Sequence, residues 1–445
     1  MANSERPLVS NMTEVFPPEI ISDSKEAKYW ASGKRSSQRV NASGGTDYGS
    51  AHSKTMLFSL PPMDHHWVCT ETLRLVFIHS SSPVETSLDE TAYSLIESIT
   101  VTSQSGTVLS QTDSYHNLFY ALYDLTKTTA MKNADFPIGQ PDLDDNITRE
   151  FHLPLKYTFF DMGKQYLNLG LFGGCQIRIV LRDNASSHHI HNGTMYAPSG
   201  TESYSISEPR LVFDTVELSA RQQIEVLKAY ETSTQQFRFD GFEHVVTNIP
   251  STVINTTLDI SSNTHSQKYV MTVFRNDKQE YPSIIPAYTA RTADLRTHAD
   301  ISSYQWNING VRTPVVRSSR LEAYADVKDV FPVEGNITLP DYLGFDYTSP
   351  YRGSKFLMVQ KLNMSDEVIS GNSLSGSVGK EIQLSLERKG LHGYDTSLIS
   401  PVGWSSPATG GANDAALQNI IAHSWLCHDT IVSCDYKNRS ISVVT

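Results

Sequence analysis

Four cysteines in 445 residues (Cys69, Cys175, Cys427 and Cys434) are too few and too scattered for a disulfide framework. Only the last two lie near each other, and their spacing matches no zinc motif of the C-x2-C kind. Cys175 alternates with Ile177, Ile179 and Leu181, the pattern of a small core hydrophobe in a protein that folds under reducing conditions. No run approaches the roughly 18 apolar residues of a membrane span. The opening MANSERPLVSNMTEVFPPEI lacks the apolar core of a signal peptide, so a soluble chain, not secreted through a cleaved signal, is expected. Basic charge is short as well: the net charge of −12 should make the surface as a whole repel nucleic acid. There is no G-x-S-x-G, no Walker A sequence and no dinucleotide fingerprint, and GLFGG at 170–174 reads as a turn between strands.

The chemistry-bearing residues that are present fall short of sites. His188, His189 and His191 form an H-H-x-H cluster. A cupin-like metal strand would follow it with a Glu, where Thr194, Met195 and Tyr196 stand, and precede it with a Gly, where Asp183 stands; the spacing points to a polar loop. DLDDN at 142–146 resembles the start of a calcium loop but lacks the Gly and closing Glu. Cys427-His428 has no recognisable orienting partner, and Trp425 beside it suggests packing. The nine N-x-S/T sequons, from Asn11 to Asn438, are expected products of chance in a chain rich in Asn, Ser and Thr.

What the chain does have is aromatic and strand-forming: 21 Tyr, 17 Phe and 5 Trp among abundant Ser, Thr and Asn, a mix that favours strands joined by polar loops. Two stretches about half a chain apart carry one local programme. Each opens in an alternating strand, with Ile99 and Val101 in the first and Tyr304, Trp306 and Ile308 in the second. Each turns, at Ser105-Gly106 and Asn309-Gly310, where Gly supplies φ > 0 without steric cost. Each closes in a short helix behind a Ser/Asp cap, spanning 114–126 and 319–331. Tyr115, Leu118, Phe119 and Leu122 mark the apolar stripe of the first, and Leu321, Tyr324, Lys328 and Phe331 that of the second. A duplicated domain is the simplest source of that echo.

About eight strands per half at the spacing of sandwiches give an all-β chain. Residues 1–50 hold no periodicity, with six basic residues against six acidic, and read as an N-terminal arm that docks onto a neighbouring molecule. Residues 51–217 form the first sandwich, 218–232 a connector helix striped with Ala220, Ile224 and Leu227, and 233–445 the second. REFHLPLKYTFF is the clearest half-buried strand, and long loops are expected at 183–208, 276–302, 332–353 and 388–424.

The passage IESITVTSQSGTVLSQTDSYHNLFYALYDL resembles the first jelly roll of double jelly-roll major capsid proteins from tailless double-stranded DNA viruses: adenovirus-like, polinton- or adintovirus-like, virophage and giant-virus. LPLKYTFFDMGKQYLNLGLFGGCQIRIVLRD is similar to a later passage of that roll, departing from it at Asn168, where a proline is usual. PRLVFDTVELSARQQIEVLKAY resembles the segment between rolls, and KYVMTVFRND with YQWNINGVRTP resembles the start of the second. The resemblance covers residues from about 50 to 445 and implies two consecutive eight-stranded jelly rolls with short helices inserted in each and between them. It implies homotrimers acting as pseudo-hexagonal capsomers of an icosahedral shell, located in the virion after assembly inside a host cell. It further implies neighbouring capsomers, penton and minor capsid proteins as partners, contact with an internal membrane only through minor proteins, and no sequence-specific nucleic-acid contact. No enzymatic activity, no cofactor, and no catalytic, cofactor-binding or metal-binding residue follows from it. Two rivals belong to other classes: a double jelly-roll hydrolase of glycoamidase type, which needs clustered acids between the rolls, and a tandem sugar-binding module, which needs exposed aromatics such as Trp404.

Overall fold

Alternation decides the strands. CQIRIVL and IQLSLER bury every second side chain, leaving the polar residues between them at the surface. The computed structural model describes residues 34–49, 52–63, 66–82, 86–88, 91–127, 148–162, 166–183, 188–192, 195–196, 203–219, 223–224, 228, 235–264, 266–276, 296, 298–299, 301–331, 337–339, 342, 355–362, 381–388, 419–435 and 440–445. The first half contains β1 (Lys34–Asn41), β2 (Asp47–Gly49), β3 (Thr55–Leu60), β4 (His66–Cys69), β5 (Arg74–Ser82), β6 (Thr86–Leu88), β7 (Ile96–Ser103) and β8 (Val108–Asp113). Helix α1 (Tyr115–Thr126) follows, then β9 (Arg149–Pro154), β10 (Tyr166–Asn168), β11 (Cys175–Leu181), β12 (His188–Asn192), β13 (Met195–Tyr196) and β14 (Ser203–Glu217). The second half contains β15 (Gln235–Ile249), β16 (Asn255–Asp259), β17 (Gln267–Asn276), β18 (Ile301–Ile308) and β19 (Val311–Ser318). It closes with helix α2 (Arg320–Val330), β20 (Leu357–Lys361), β21 (Ile382–Arg388), β22 (Ile420–Asp435) and β23 (Ser440–Val444).

The strand order repeats. One sheet of the first half runs β3-β11-β7-β8, and its counterpart runs β16-β21-β18-β19. In the opposing sheets the long β14 lies between β1 and β5, with β9 beyond; the long β22 lies between β15 and β17, with β20 beyond. Each helix leaves the matching edge strand, α1 after β8 and α2 after β19. The hairpin turns also match, with Gly106 at φ 89° in one and Asn309 and Gly310 at 53° and 80° in the other. Two antiparallel sandwiches built to one plan, with a small β13-β12-β6 sheet beside them, hold the strands of the described chain.

Several expectations need correction. Of the expected 1–50 arm, residues 34–41 are strand β1, in register with β14 from Lys34↔Glu217 to Asn41↔Arg210, and β2 pairs with β14 as well. β1 holds the place in the first sandwich that β15 holds in the second, so this stretch belongs to the fold; residues 1–33 lie outside the described residues. REFHLPLKYTFF is a strand only as far as Pro154, whose ring removes a ladder donor. The chain then turns, with Tyr157 at φ 56°, the Thr158 hydroxyl bonded to the Leu155 carbonyl and the Asp161 carboxylate accepting from the Tyr157 amide. Within the expected 183–208 loop, the histidine cluster forms β12, which pairs with β6 and β13. In the connector, residues 223, 224 and 228 are helical, but Ile224 is 54% exposed and not part of a buried stripe; Ala220 and Leu227 lie outside the described residues. In α2 the buried positions are Ala323 and Val327, whereas Leu321 points to solvent.

The described apolar residues pack into two clusters that interlock. Phe237 and Phe239 of β15 and Val432 and Cys434 of β22 belong to the first cluster, together with the first sandwich. Leu118, Ala121, Leu122 and Leu125 of α1 belong to the second. β15 and β22 can lie close where they cross from one cluster to the other because position 241 is glycine: a Cβ there would collide with the side chains of His428 and Thr430.

Candidate functional site

The residues with most to do lie where the two sandwiches meet. α1 is buried from Tyr115 to Leu125 on every side, unlike an ordinary surface helix. One stripe, Tyr115, Phe119, Tyr120 and Tyr123, enters the first cluster. There Phe119 stacks on Tyr93 at 3.7 Å and on Tyr123 at 5.1 Å, and the Tyr115 hydroxyl donates to the Lys156 carbonyl at 2.9 Å. The other stripe, Leu118, Leu122 and Leu125, lies against the outer face of the β15-β22-β17-β20 sheet. His244, Trp425, Met271 and Val359 share a register row on that face, and the last three belong to the same cluster as the leucines. That sheet is therefore apolar on both faces.

Polar groups pin this contact at defined points. Arg275, fully buried on β17, donates to the side-chain oxygen of Asn117 on α1. One turn pair further, Asp124 accepts from Arg296 at 2.8 Å and from Lys355 at 3.0 Å, with Asp124 and Arg296 each 2% exposed. The Trp425 indole donates to the Asp113 carbonyl at 3.4 Å. Buried ion pairs of this kind add little net stability over apolar packing but are costly to break, so they fix one register of α1 on the sheet. Asn117 and Asp124 stand seven residues apart on one stripe of an otherwise apolar helix. That spacing was the available signal in the sequence, and reading only the apolar stripe missed it.

A groove of about 730 Å³ opens beside the junction, lined by β8, by Phe239 to His244 of β15, and by residues 261–264. Its carboxylates are engaged. Glu243 accepts from Ser262 and Asp240 pairs with Lys268; just behind, Asp429 takes Arg238 at 2.5 Å, Lys268 at 3.1 Å and the Ser266 hydroxyl at 2.5 Å. Burial pushes the Cys427 thiol well up, so it is a poor nucleophile, and burial holds His428 below the ordinary histidine value. Among the described residues no group of three or more His, Cys, Asp or Glu is placed to hold a metal ion, and no helix is long and apolar enough to cross a membrane. Residues 142–146 and Trp404 lie outside the described residues, and Asn168, where the resemblance departed, accepts from the Gly170 amide at 2.8 Å to start a short turn of helix.

The second sandwich carries the same elements uncovered. Val311, Val315 and Val316 of β19 and Leu321 of α2 are 65, 84, 76 and 57% exposed. These are four large apolar side chains left exposed on one hairpin and its helix. The outer face of the first sandwich's β14 sheet, the counterpart of the face that α1 covers, is polar by contrast: Arg35 pairs with Asp214 at 2.5 Å, and Glu150 binds Arg210 at 2.8 Å and His152 at 2.7 Å.

No protein-family model matches the sequence, and no curated protein matches it either. Solved structures do. The PBCV-1 virus capsid superposes with a TM-score of 0.61 at 12% identity, over 93% of this chain and 97% of that one. The Sputnik virophage structure gives 0.54 at 11% identity, over 92% and 88%, and the mavirus major capsid protein 0.52 at 9%, over 92% and 89%. At these identities the likeness is one of fold: the chain is a double jelly roll, all-β, with short helices inserted.

Proposed function

We propose that this chain is the major subunit of an icosahedral viral shell, assembled as homotrimeric, pseudo-hexagonal capsomers. The observation that carries the reading is the unequal fate of equivalent elements. In the first roll, β8 and α1 are capped by the second roll of the same chain; in the second roll, β19 and α2 leave Val315, Val316 and Leu321 exposed among the described residues. Repeating the internal contact between chains sets the second roll of one copy against the first roll of the next. A head-to-tail contact of that kind closes into a ring when it turns each copy by a third of a circle, and three chains of two similar rolls then present six similar walls, the outline that tiles a hexagonal lattice. The polar outer face of the first roll suits a contact made and remade during assembly. The resemblance in sequence and the likeness of fold to the PBCV-1 capsid and the mavirus major capsid protein point the same way. The role is architectural rather than catalytic, since the groove's carboxylates are spent on neighbouring side chains. Neighbouring capsomers, a penton protein and minor capsid proteins are the partners, and the virion is the location. Nothing supports the hydrolase or the sugar-binding reading.

Substituting Val315→Glu together with Val316→Glu tests this. Charges on that face should leave a folded chain that sediments as a monomer and forms no shells; a double variant that still assembles as the parent does would overturn the reading.

A further inference from the structure

The α1 contact contains more histidine than its packing requires. His116, on α1, is fully buried. His244 and His423, on neighbouring strands, lie with rings parallel to 1°, His244 Nε2 3.1 Å from His423 Nδ1, and both stack on Trp425 at 5.0 and 5.9 Å. A ring-to-ring hydrogen bond of that kind needs one nitrogen without a proton, so it cannot form between two imidazolium ions.

The charges facing this group are mostly of one sign. From β7 comes Glu97, whose carboxylate is 3.8 Å from His116 Nδ1 and whose side chain is 47% exposed. Arg182, after β11, is 3% exposed and 3.5 Å from that same carboxylate. Arg275 enters from β17 and His423 from β22, both acting on His116. β8 supplies only the Asp113 backbone carbonyl to Trp425, its carboxylate being turned to Gln111 at 2.8 Å. The other α1 carboxylate, Asp124, already holds Arg296 and Lys355. Two guanidinium groups thus act on His116, with one half-exposed carboxylate near it. A proton added to His116 places a third positive charge on a fully buried ring.

We propose that this histidine seam is an acid-triggered latch, in which protons taken up by His116, His244 and His423 drive α1 off the outer face of the second roll. The latch lies within one chain and does not rest on the shell reading. Its sign is fixed by the environment: burial, then Arg182, Arg275 and His423, hold His116 well below the ordinary histidine value. A group so depressed favours the closed state above about pH 6.5, and that advantage is lost progressively as the pH falls below it. Opening then lets water and protons reach the buried His116 ring.

Native-state hydrogen exchange on the full chain, corrected for intrinsic rates, between pH 7.5 and 5.0, reads the latch. Opening of α1 and of β22 around His423 should rise by about tenfold per pH unit below 6.5 for each imidazole that titrates, while β11 in the first roll stays protected. His116→Gln and His423→Gln, each measured separately so that one misfolded variant does not remove the test, should flatten that rise; His79→Gln, remote from the seam, should not. An α1 that opens in step with β11, or glutamine variants as steep as the parent, would overturn the proposal.

Discussion

α1 and α2 leave the same edge of the same strand order, twelve and eleven residues long, and differ in nearly everything else. α1 has Tyr, Phe and Leu on opposite stripes and lies between two cores. α2, RLEAYADVKDV, buries Ala323 and Val327, sets Asp326 against the Tyr304 hydroxyl and leaves Leu321 and Glu322 exposed. Their starts differ accordingly. Ser114 adopts φ 49° before α1, its hydroxyl accepting from the Asn117 amide group at 3.0 Å, and tertiary packing holds the end. α2 relies on its own cap: the Glu322 carboxylate accepts from the Ser319 amide at 2.5 Å, which lowers its pKa. One helix is made by its surroundings and the other by its local sequence. The equivalent element is turned inward in the first roll, as the joint between rolls, and outward in the second.

That contrast can be broken at several points. Phe119→Ala should cost about 3–5 kcal/mol in denaturant unfolding, as expected for an aromatic at 2% exposure. Phe331→Ala, at the half-buried end of α2, should cost about 2 kcal/mol or less; equal losses would mean that the two helices are equally enclosed. Asp124→Ala leaves Arg296 and Lys355 without their carboxylate and should cost about 3–5 kcal/mol. The loss should be accompanied by faster exchange of α1, whereas removing a surface ion pair such as Arg35–Asp214 should cost under about 1 kcal/mol. His79 lies inside the first roll, away from the joint, stacked on Tyr204, and burial lowers it to about 4. Its share of stability is complete above pH 6.5 and lost as the pH falls from 6.5 to 4, reaching at most about 3 kcal/mol. His79→Leu should remove that share of the acid sensitivity in thermal melts without altering α1 exchange. The smallest effect belongs to the outward copy: Val315→Ser with Val316→Ser should change the stability of the isolated chain by about 0.5 kcal/mol or less, while weakening association between chains.

The strands were legible wherever one face is buried and the other wet, as in CQIRIVL and EIQLSLER, and so were both hairpins with their glycines. The arm was read too long because KRSSQRVN carries no apolar period: β1 is an edge strand whose partner, β14, supplies nearly all its contacts, and such a strand is specified by its neighbour. REFHLPLKYTFF was read too far because Leu155 and Phe159 stay buried through a turn, so the apolar period outlasts the strand. The junction was the least legible part. Asn117 and Asp124 share one helix, but Arg275 and Arg296 come from two other stretches, and the histidine stack leaves no motif behind. Leu321 misled for the complementary reason: it is apolar and yet exposed at the start of α2.

The central claim is that the outward copy of the joint is completed by another chain. Light scattering on the purified chain at micromolar concentration tests it most directly. A mass of three chains that falls to one in the Val315→Glu, Val316→Glu variant is the predicted result. A parent chain that remains a monomer under those conditions would contradict it.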